Sequence, residues 1–446
     1  MNPRDIIARA LDAARQCGAA DAEVALTRDV NLEIEVAKGE VETLGLAEAM
    51  GVGVRVFTED RRMGFAYTTA AEAGVERVVE AAWHNALATT PDEHNVLPEH
   101  APTSEDDWSE QDFADVPVAK KVDFCRELER KTLDGDPRIT HVQHASYSDT
   151  RGEYTVANSR GLLRTFSNAY GTCSVVAAAA QEGADSEMGW EFDFAKTFDA
   201  LRLDWVAERC VERTVRQLGG KPCPTRAMPI VLDNYVTTQF LGVLAPALMA
   251  NQVLKGKSLF AEQVRQDIAA KCVTLIDQND APGGLNRAPF DAEGASAQRT
   301  VLVEAGTLRG FLHNAYTAHR MAVKSTANAG RGGGFRSVPE VTATNLFLEP
   351  GQRSQEELLE GAGDGLFVTS AMGAHMADPI SGDFSLGVSG LEIEGGRPGR
   401  PVRGVTIAGN LKELLRNIED VGGDLRFFSS TGAPSVRIAE MMVSGE

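Results

Sequence analysis

The order of the first periodic segments constrains this chain most. Residues 31–38 alternate, with Leu32, Ile34 and Val36 on one side. Residues 51–58 alternate in the same way, with Val52, Val54 and Val56 together. The polar stretch Glu59-Asp60-Arg61-Arg62 leads into residues 63–68, which predicts a hairpin. Residues 70–88 then read as a helix, and residues 4–17 as an amphipathic helix closed by Gly18. Strands grouped ahead of a helix specify an α+β domain rather than a doubly wound one.

Residues 91–117 hold four prolines and the acidic run Glu105-Asp106-Asp107, a solvated loop. A helix is predicted over 118–133. Strand-like runs follow over 139–198, broken by turns at 149–152 and 158–161, and then a helix over 199–217. Gly219-Gly220-Lys221-Pro222-Cys223-Pro224 is the best boundary. It separates an N-terminal sheet-and-helix domain, 1–218, from a glycine-rich, β-rich C-terminal domain, 226–446. The latter has short strands at 229–232, 272–277, 300–304, 344–347, 366–369 and 387–393. Ser354 and Glu357 form a capping box, and a short helix is predicted over 410–419. Residues 234–254 carry no charge, yet Thr237, Thr238, Gln239 and mid-segment Pro246 make them too polar for a membrane span. They read as a buried, kinked helix.

Charge narrows the function. The chain has 44 Lys+Arg against 64 Asp+Glu, a formal charge of −20. That surface repels phosphate backbones and anionic lipid, so neither nucleic acid nor membrane is an expected partner. Six dispersed cysteines without a C-x-x-C pair read as reduced thiols. The first residues lack the apolar core of a signal peptide, and the expected compartment is the cytoplasm.

Local motifs for chemistry are sparse. His141 and His144, three apart on a predicted strand, are expected on opposite faces. His313 and His319 are six apart and miss a shared helical face. His375 lies near Asp378 without a partner. H-E-x-x-H and G-x-S-x-G are both absent. Gly330-Arg331-Gly332-Gly333-Gly334 lacks the P-loop lysine; it reads as a mobile loop, or as glycines that admit a peptide backbone. Asp291 and Glu293 would share a face of a strand over 290–294, where repulsion raises one pKa; Asp383 lies between turn residues in Ser381-Gly382-Asp383-Phe384-Ser385. Turn chemistry, an Asp bonded to nearby backbone N–H groups, is the bland reading of both clusters.

The order of the second-half segments resembles the PmbA/TldD family, in its PmbA (TldE) branch. The pieces are Pro289-Phe290-Asp291-Ala292-Glu293-Gly294, Ala315-Tyr316-Thr317-Ala318-His319-Arg320, Lys324-Ser325-Thr326, Ser381-Gly382-Asp383-Phe384-Ser385, Ile407-Ala408-Gly409-Asn410-Leu411-Lys412, Arg416-Asn417-Ile418 and Val421-Gly422-Gly423-Asp424. Gly51-Val52-Gly53-Val54-Arg55-Val56 extends the likeness into the first half. The resemblance implies a two-domain α+β architecture and a dimer around a chamber. In the TldD branch it implies zinc on an H-E-x-x-x-H helix with a later cysteine, and cleavage of small or unfolded peptides with the PmbA branch. A link to DNA gyrase control also attaches to the family, and the acidic surface argues against direct DNA contact. Here the corresponding segment, 238–250, has neither His nor Glu, and the last cysteine is Cys272. The departure is shared with the PmbA branch.

The reading is therefore a PmbA/TldE-type subunit of a cytoplasmic heterodimeric metallopeptidase. It holds no cofactor of its own, and a TldD-like partner carries the zinc. Peptide or partner contacts are expected at Asp291, Glu293, Gly332, Gly333, Gly334, Ser381 and Asp383, and the sequence leaves a homodimer open to the isolated chain. Two alternatives stand beside it: a stand-alone hydrolase built from His313, His319, His375, Asp383 and Cys272, and a homodimeric binding or regulatory protein.

Overall fold

The structure is a computed structural model that describes residues 3–98, 104–183 and 185–445, without the side chains of residues 71, 72 and 375. Its first half runs α1 (Pro3–Gln16), β1 (Asp21–Ala37), β2 (Glu40–Phe57), β3 (Met63–Thr68), α2 (Ala71–Ala88), β4 (Ser104–Asp107), α3 (Val118–Asp134), β5 (Ile139–Asn158), β6 (Leu163–Ala179), β7 (Glu187–Ala195) and α4 (Leu203–Val215). One sheet holds these strands in the order β3-β2-β1-β5-β6-β4, with β7 also on β6. The α+β order is as read from the sequence.

Four local expectations change. The acidic run Glu105-Asp106-Asp107, expected in a solvated loop, belongs to β4 and pairs parallel with β6. β1 and β2 are much longer than their alternating parts. They pair antiparallel from Asp21↔Phe57 to Ala37↔Glu40, around a Lys38–Gly39 turn with both φ positive. The turn expected at 149–152 does not form. β5 runs straight through it, with Asp149 paired to Leu32 and Gly171 and Gly152 to Asp29 and Asn168. Two flanking ladders outweigh local turn chemistry. The bend at 158–161 does form, where Asn158 Oδ1 accepts from the N–H groups of Arg160 and Leu162. The fourth helix is shorter than expected, Leu203–Val215 instead of 199–217.

Alternation assigns the two faces of the sheet. Val24 and Leu26 of β1 with Val52, Val54 and Val56 of β2 pack under α1 and α2. Leu32, Ile34 and Val36 have the same parity and lie in the core that includes residues of α3 and α4. All four helices therefore cover one face. The opposite parity, Glu23, Ala25 and Thr27, is buried too, and this face meets the second half of the chain.

That half comprises β8 (Arg226–Leu232), α5 (Asn234–Leu244), α6 (Ala250–Leu254), β9 (Leu275–Gln278), β10 (Arg299–Glu304), β11 (Thr307–Leu308), α7 (Ala315–Arg320), β12 (Ala329–Gly330), β13 (Glu340–Val341), β14 (Leu346–Leu348), α8 (Gln355–Ala362), β15 (Gly365–Met372), β16 (Asp383–Glu394), β17 (Arg397–Asn410), α9 (Leu411–Arg416), β18 (Ile418–Val421), β19 (Arg426–Phe428), β20 (Thr431–Ala433) and β21 (Val436–Ser444). One sheet runs β17-β16-β15-β8-β21-β18, and a further β17–β21 pairing closes the ring; a second runs β11-β10-β9-β14-β20-β19. The helix expected over 410–419 stops at Arg416, and Ile418 begins a strand. The Ser354–Glu357 capping box forms in both directions. The kinked helix is in fact broken: Pro246 opens a short 3₁₀ turn between α5 and α6. Val236, Phe240, Leu241 and Leu244 of α5 join the main apolar cluster of this half.

The glycine-rich loop after β12 lies against the first sheet. A Cβ on Gly51 would sit 2.3 Å from the Phe335 ring, and one on Gly53 would sit 2.2 Å from the Phe335 carbonyl oxygen. The two glycines of the Gly51-Val52-Gly53 motif are thus a seat for Phe335, which is buried. Gly53→Val is expected to cost about 1–3 kcal/mol by overpacking. Chemical denaturation checks this; an unchanged midpoint would show that the loop docks otherwise.

Candidate functional site

Asp291 and Glu293 do not sit on a strand. Residues 291–294 form a turn that buries both carboxylates where the two halves meet. Asp291 Oδ1 accepts from the N–H groups of Glu293 (2.9 Å) and Ala295 (3.0 Å), and Oδ2 accepts from Ala329 N–H (3.0 Å). Burial first, then the charge of Glu293, raises the Asp291 carboxyl pKa well above its ordinary value. Glu293 accepts from Arg55 Nη2 (3.0 Å) and from the N–H of Ala315, the first residue of α7 (2.9 Å). Arg55 also grips Glu23 with two bonds, 3.0 and 2.7 Å. Arg331 from the glycine loop pairs with the same Glu23, and its Nε donates to Tyr154 Oη at 3.2 Å. Two carboxylates and two guanidiniums thus cancel inside the seam; the turn chemistry of Asp291 and the repulsion that raises one carboxyl pKa were legible in the sequence, and the two arginines were not.

A second network joins the halves at the start of α5. Arg213 of α4 bridges Glu191 (3.3 Å) and Asp233 (3.2 Å), and Arg426 of β19 holds Glu191 at 2.7 Å. Asp233 caps α5 through Tyr235 N–H. Tyr235 packs edge-on to Trp190 (5.0 Å) and against Phe428 (5.1 Å), while Arg426 stands 4.3 Å over the Phe428 ring. A cleft of about 680 Å³ lies beside this cluster, lined by Phe192, Lys196, Asn234 and Arg426 among others. Lys196 donates to Leu285 O at 2.8 Å, and burial lowers its pKa to about 8. These aromatics carried no local motif, because they come together from β7, α5 and β19.

The partly exposed face of α5 carries Tyr235, Gln239 and Val243, with Gly242 exposed and Pro246 just beyond. Gln239, Gly242, Val243 and Pro246 face a shallow depression of about 360 Å³, closed opposite by Ala374, Ala377 and Pro379. The end of β15 exposes Met372 (70%), and the connection after it exposes Met376 (77%) and Ile380 (50%). The donor set on this face does not suit zinc. An amide is a weak ligand, aliphatic groups are none, and burial raises the Tyr235 phenol further from ionisation.

The other candidates are scattered. His313 is buried, its pKa lowered to about 4 by burial, with Nδ1 unpartnered. His319 instead meets His94, Nδ1 to Nδ1 at 3.0 Å. The Cys272 thiol donates to Ile418 O (3.5 Å), and burial raises its pKa, so it is no ready nucleophile. Asp383 accepts from Asn410 Nδ2 at the surface, and Ser381 Oγ accepts from Asp383 N–H. The His375 side chain lies outside the described residues. His141 and His144 depart from expectation: a bulge in β5 between Val142 and His144 sets them opposite Ala178 and Val176, two apart on β6 and so on one face. Among the described residues no three His, Cys, Asp or Glu side chains converge as metal ligands.

α5 and α6 thus form a broken, uncharged helix whose start joins the two halves of an α+β chain. Residues 22–86, 111–218 and 225–445 match the models for domain 1, the central domain and the C-terminal domain of the PmbA/TldA metallopeptidases. The chain belongs to the PmbA/TldD metallopeptidase family. It is 28% identical over 432 residues to the Metalloprotease PmbA of Escherichia coli O157:H7, covering 95% of this chain and 92% of that one. It is 27% identical to the Metalloprotease PmbA homolog of Haemophilus influenzae, over 99% and 96%. The crystal structure of a candidate modulator of a DNA gyrase from Thermotoga maritima superposes with a TM-score of 0.89 at 26% identity, covering 99% of this chain and 100% of that one. TldE from Thermococcus kodakarensis shares the fold, with a TM-score of 0.88 over 99% and 100% of the chains at 22% identity.

Proposed function

We propose that this chain is the PmbA/TldE-type subunit of a heterodimeric TldD/TldE-like zinc metallopeptidase acting on small or unfolded peptides. It shapes the peptide chamber, and a TldD-like partner supplies the zinc and the base. One observation carries the reading: the face of α5 turned to the depression presents Gln239, Gly242, Val243 and Pro246, a set without a zinc ligand of ordinary strength. The exposed Met372, Met376 and Ile380 beside it suit unfolded peptides, because methionine adapts its shape to varied apolar side chains. Ser381 and Asp383 follow on the same segment and belong to that peptide-facing rim. Gly332, Gly333 and Gly334 are proposed to contact peptide through backbone at the cleft of about 400 Å³ that Gly330, Arg331 and Gly334 help to line. Asp291 lines its wall, and Glu293 is proposed to support that wall from behind through Arg55. The cytoplasm is the proposed compartment, consistent with six free cysteines. Among the described residues no helix is long and apolar enough to cross a membrane.

The test is elemental analysis and peptidase assay of untagged protein purified without chelator. The expected zinc content is below about a tenth of an equivalent per chain, with peptide hydrolysis only after a zinc-bearing relative is added. About one equivalent retained through dialysis, with hydrolysis by the chain alone, would overturn the assignment.

A further inference from the structure

We infer that the seam between the two halves holds a short peptide by its two free ends, with Asp29 receiving the α-ammonium and Lys196 the α-carboxylate. The inference rests on the peptide reading above and deepens it, because it names two anchoring residues and the class of peptide they select. Three depressions share their walls in succession along the seam. The cleft of about 400 Å³ at the glycine loop shares Asn286 and Arg287 with a neighbour of about 430 Å³. That neighbour shares Glu110, Lys196 and Gly284 with the cleft of about 680 Å³ beside α5. Asp29 lines the first depression, and among the described residues no hydrogen bond or ion pair holds its carboxylate; burial alone raises its pKa. Lys196 lines the other two. Its ammonium donates to the uncharged Leu285 O at 2.8 Å, and burial, then the nearby Arg287, lowers its pKa to about 8. The four arginines that line these clefts each hold a carboxylate already. Arg287 pairs with Glu110, Arg202 with Asp193, Arg426 with Glu191 and Arg331 with Glu23. Asp29 and Lys196 are thus opposite charges, half out of water, that lack a counter-charge. Such groups are costly to keep, and a ligand that pairs both recovers the cost.

The strand register gives the length of that ligand. Asp29 stands opposite Gly152, and Gly152 opposite Asn168. Residues directly opposite share a face, here the face turned to the second half. Tyr170 lies two residues along β6 on the same face, and Lys196, the residue after β7, reaches over its ring at 5.8 Å. Three strand spacings of about 4.8 Å and two residues of about 3.3 Å put the two Cα atoms about 16 Å apart. An extended chain advances about 3.3 Å per residue, so a peptide of about four or five residues spans the anchors. The unlike charges also fix its direction. The interior of a long chain has neither charged end, so the groove selects short peptides over proteins.

Isothermal calorimetry on the full chain, without metal or partner, reads binding rather than hydrolysis. The probe is an alanine pentapeptide free at both ends. N-acetylation and C-terminal amidation of the probe should each weaken binding at least about tenfold, because each leaves one anchor unpaired. Lys196→Met should weaken the free peptide by a similar factor and leave the amidated one unchanged. Asp29→Asn should do the same to the free peptide and leave the acetylated one unchanged. Alanine dipeptide, too short for both anchors, should bind at least about tenfold more weakly than the pentapeptide. A pentapeptide that shows no binding at millimolar concentration overturns the inference. So does a blocked pentapeptide that binds as tightly as the free one, or a free pentapeptide that either variant binds as the parent does. The blocked peptides decide the matter even if a variant fails to fold. Zinc retained by a chain that binds the pentapeptide through both anchors would sink the subunit assignment and leave this inference standing.

Discussion

Arg55→Ala is expected to lower folding stability by about 3–5 kcal/mol, the usual consequence of removing one member of a buried ion pair. Glu23 and Glu293 are each 1% exposed, and both lose a guanidinium donor in the variant. Arg331 still serves Glu23, but Glu293 keeps only the Ala315 N–H. Because Glu23 and Arg55 lie in the first half and Glu293 in the second, the loss should also uncouple the halves. Urea unfolding followed by circular dichroism is expected to move from one transition toward two. A double-mutant cycle with Glu293→Gln tests the pairing itself. The combined loss should fall short of the sum of the single losses by about 1 kcal/mol or more. Additive losses would mean that the two side chains do not share an interaction.

Asp291→Ala is expected to cost at least about 3 kcal/mol, because two buried backbone N–H groups and the half-buried one of Ala295 lose their acceptor at about 1–3 kcal/mol each. Asp291→Asn should cost less, since its amide oxygen still serves Glu293 and Ala295 and only the bond from Ala329 is lost. The milder variant also reports on pH. Burial, and next the charge of Glu293, raises the Asp291 carboxyl pKa from 3.8 to about 7. The folded chain therefore holds a proton where the unfolded chain has released it. The stability so contributed is complete below pH 3.8 and is lost as pH rises toward 7. Between about pH 5 and about pH 7 the native protein should lose more stability than Asp291→Asn does. Equal slopes for the two proteins would show that Asp291 titrates as an ordinary carboxylate.

These two predictions rest on residues whose roles were legible to different degrees. The turn chemistry of Asp291 follows from its neighbours, since an Asp before Ala-Glu-Gly readily bonds the next backbone N–H groups. Glu293 does not follow from them. Its partner Arg55 is 238 residues away, and proximity in sequence points to Asp291 as the neighbour that matters. The same blindness hid the Tyr235, Trp190 and Phe428 cluster, and it made Gly51 and Gly53 look like ordinary strand positions. The histidine pair on β5 fails differently: alternation holds only while the ladder has no bulge, and one intervenes between Val142 and His144.

Taken by itself, the sequence determined what depends on neighbours along the chain. The period of the apolar residues set the order of strands and helices and the faces they bury. Ser354 with Glu357 set a helix start, and the residue types over 238–250 excluded a zinc-binding H-E-x-x-x-H helix. Tertiary structure decided what depends on partners far away. It made Arg55 and Arg331 the cations that neutralise Glu23 and Glu293, and it turned two glycines into a seat for Phe335. It carried β5 through a predicted turn and, among the described residues, left residues 40–50 of β2 paired on the β1 side alone. The reason is physical: burial raises the strength of each charge contact and the cost of each clash, and only the folded chain says which distant groups share a buried place.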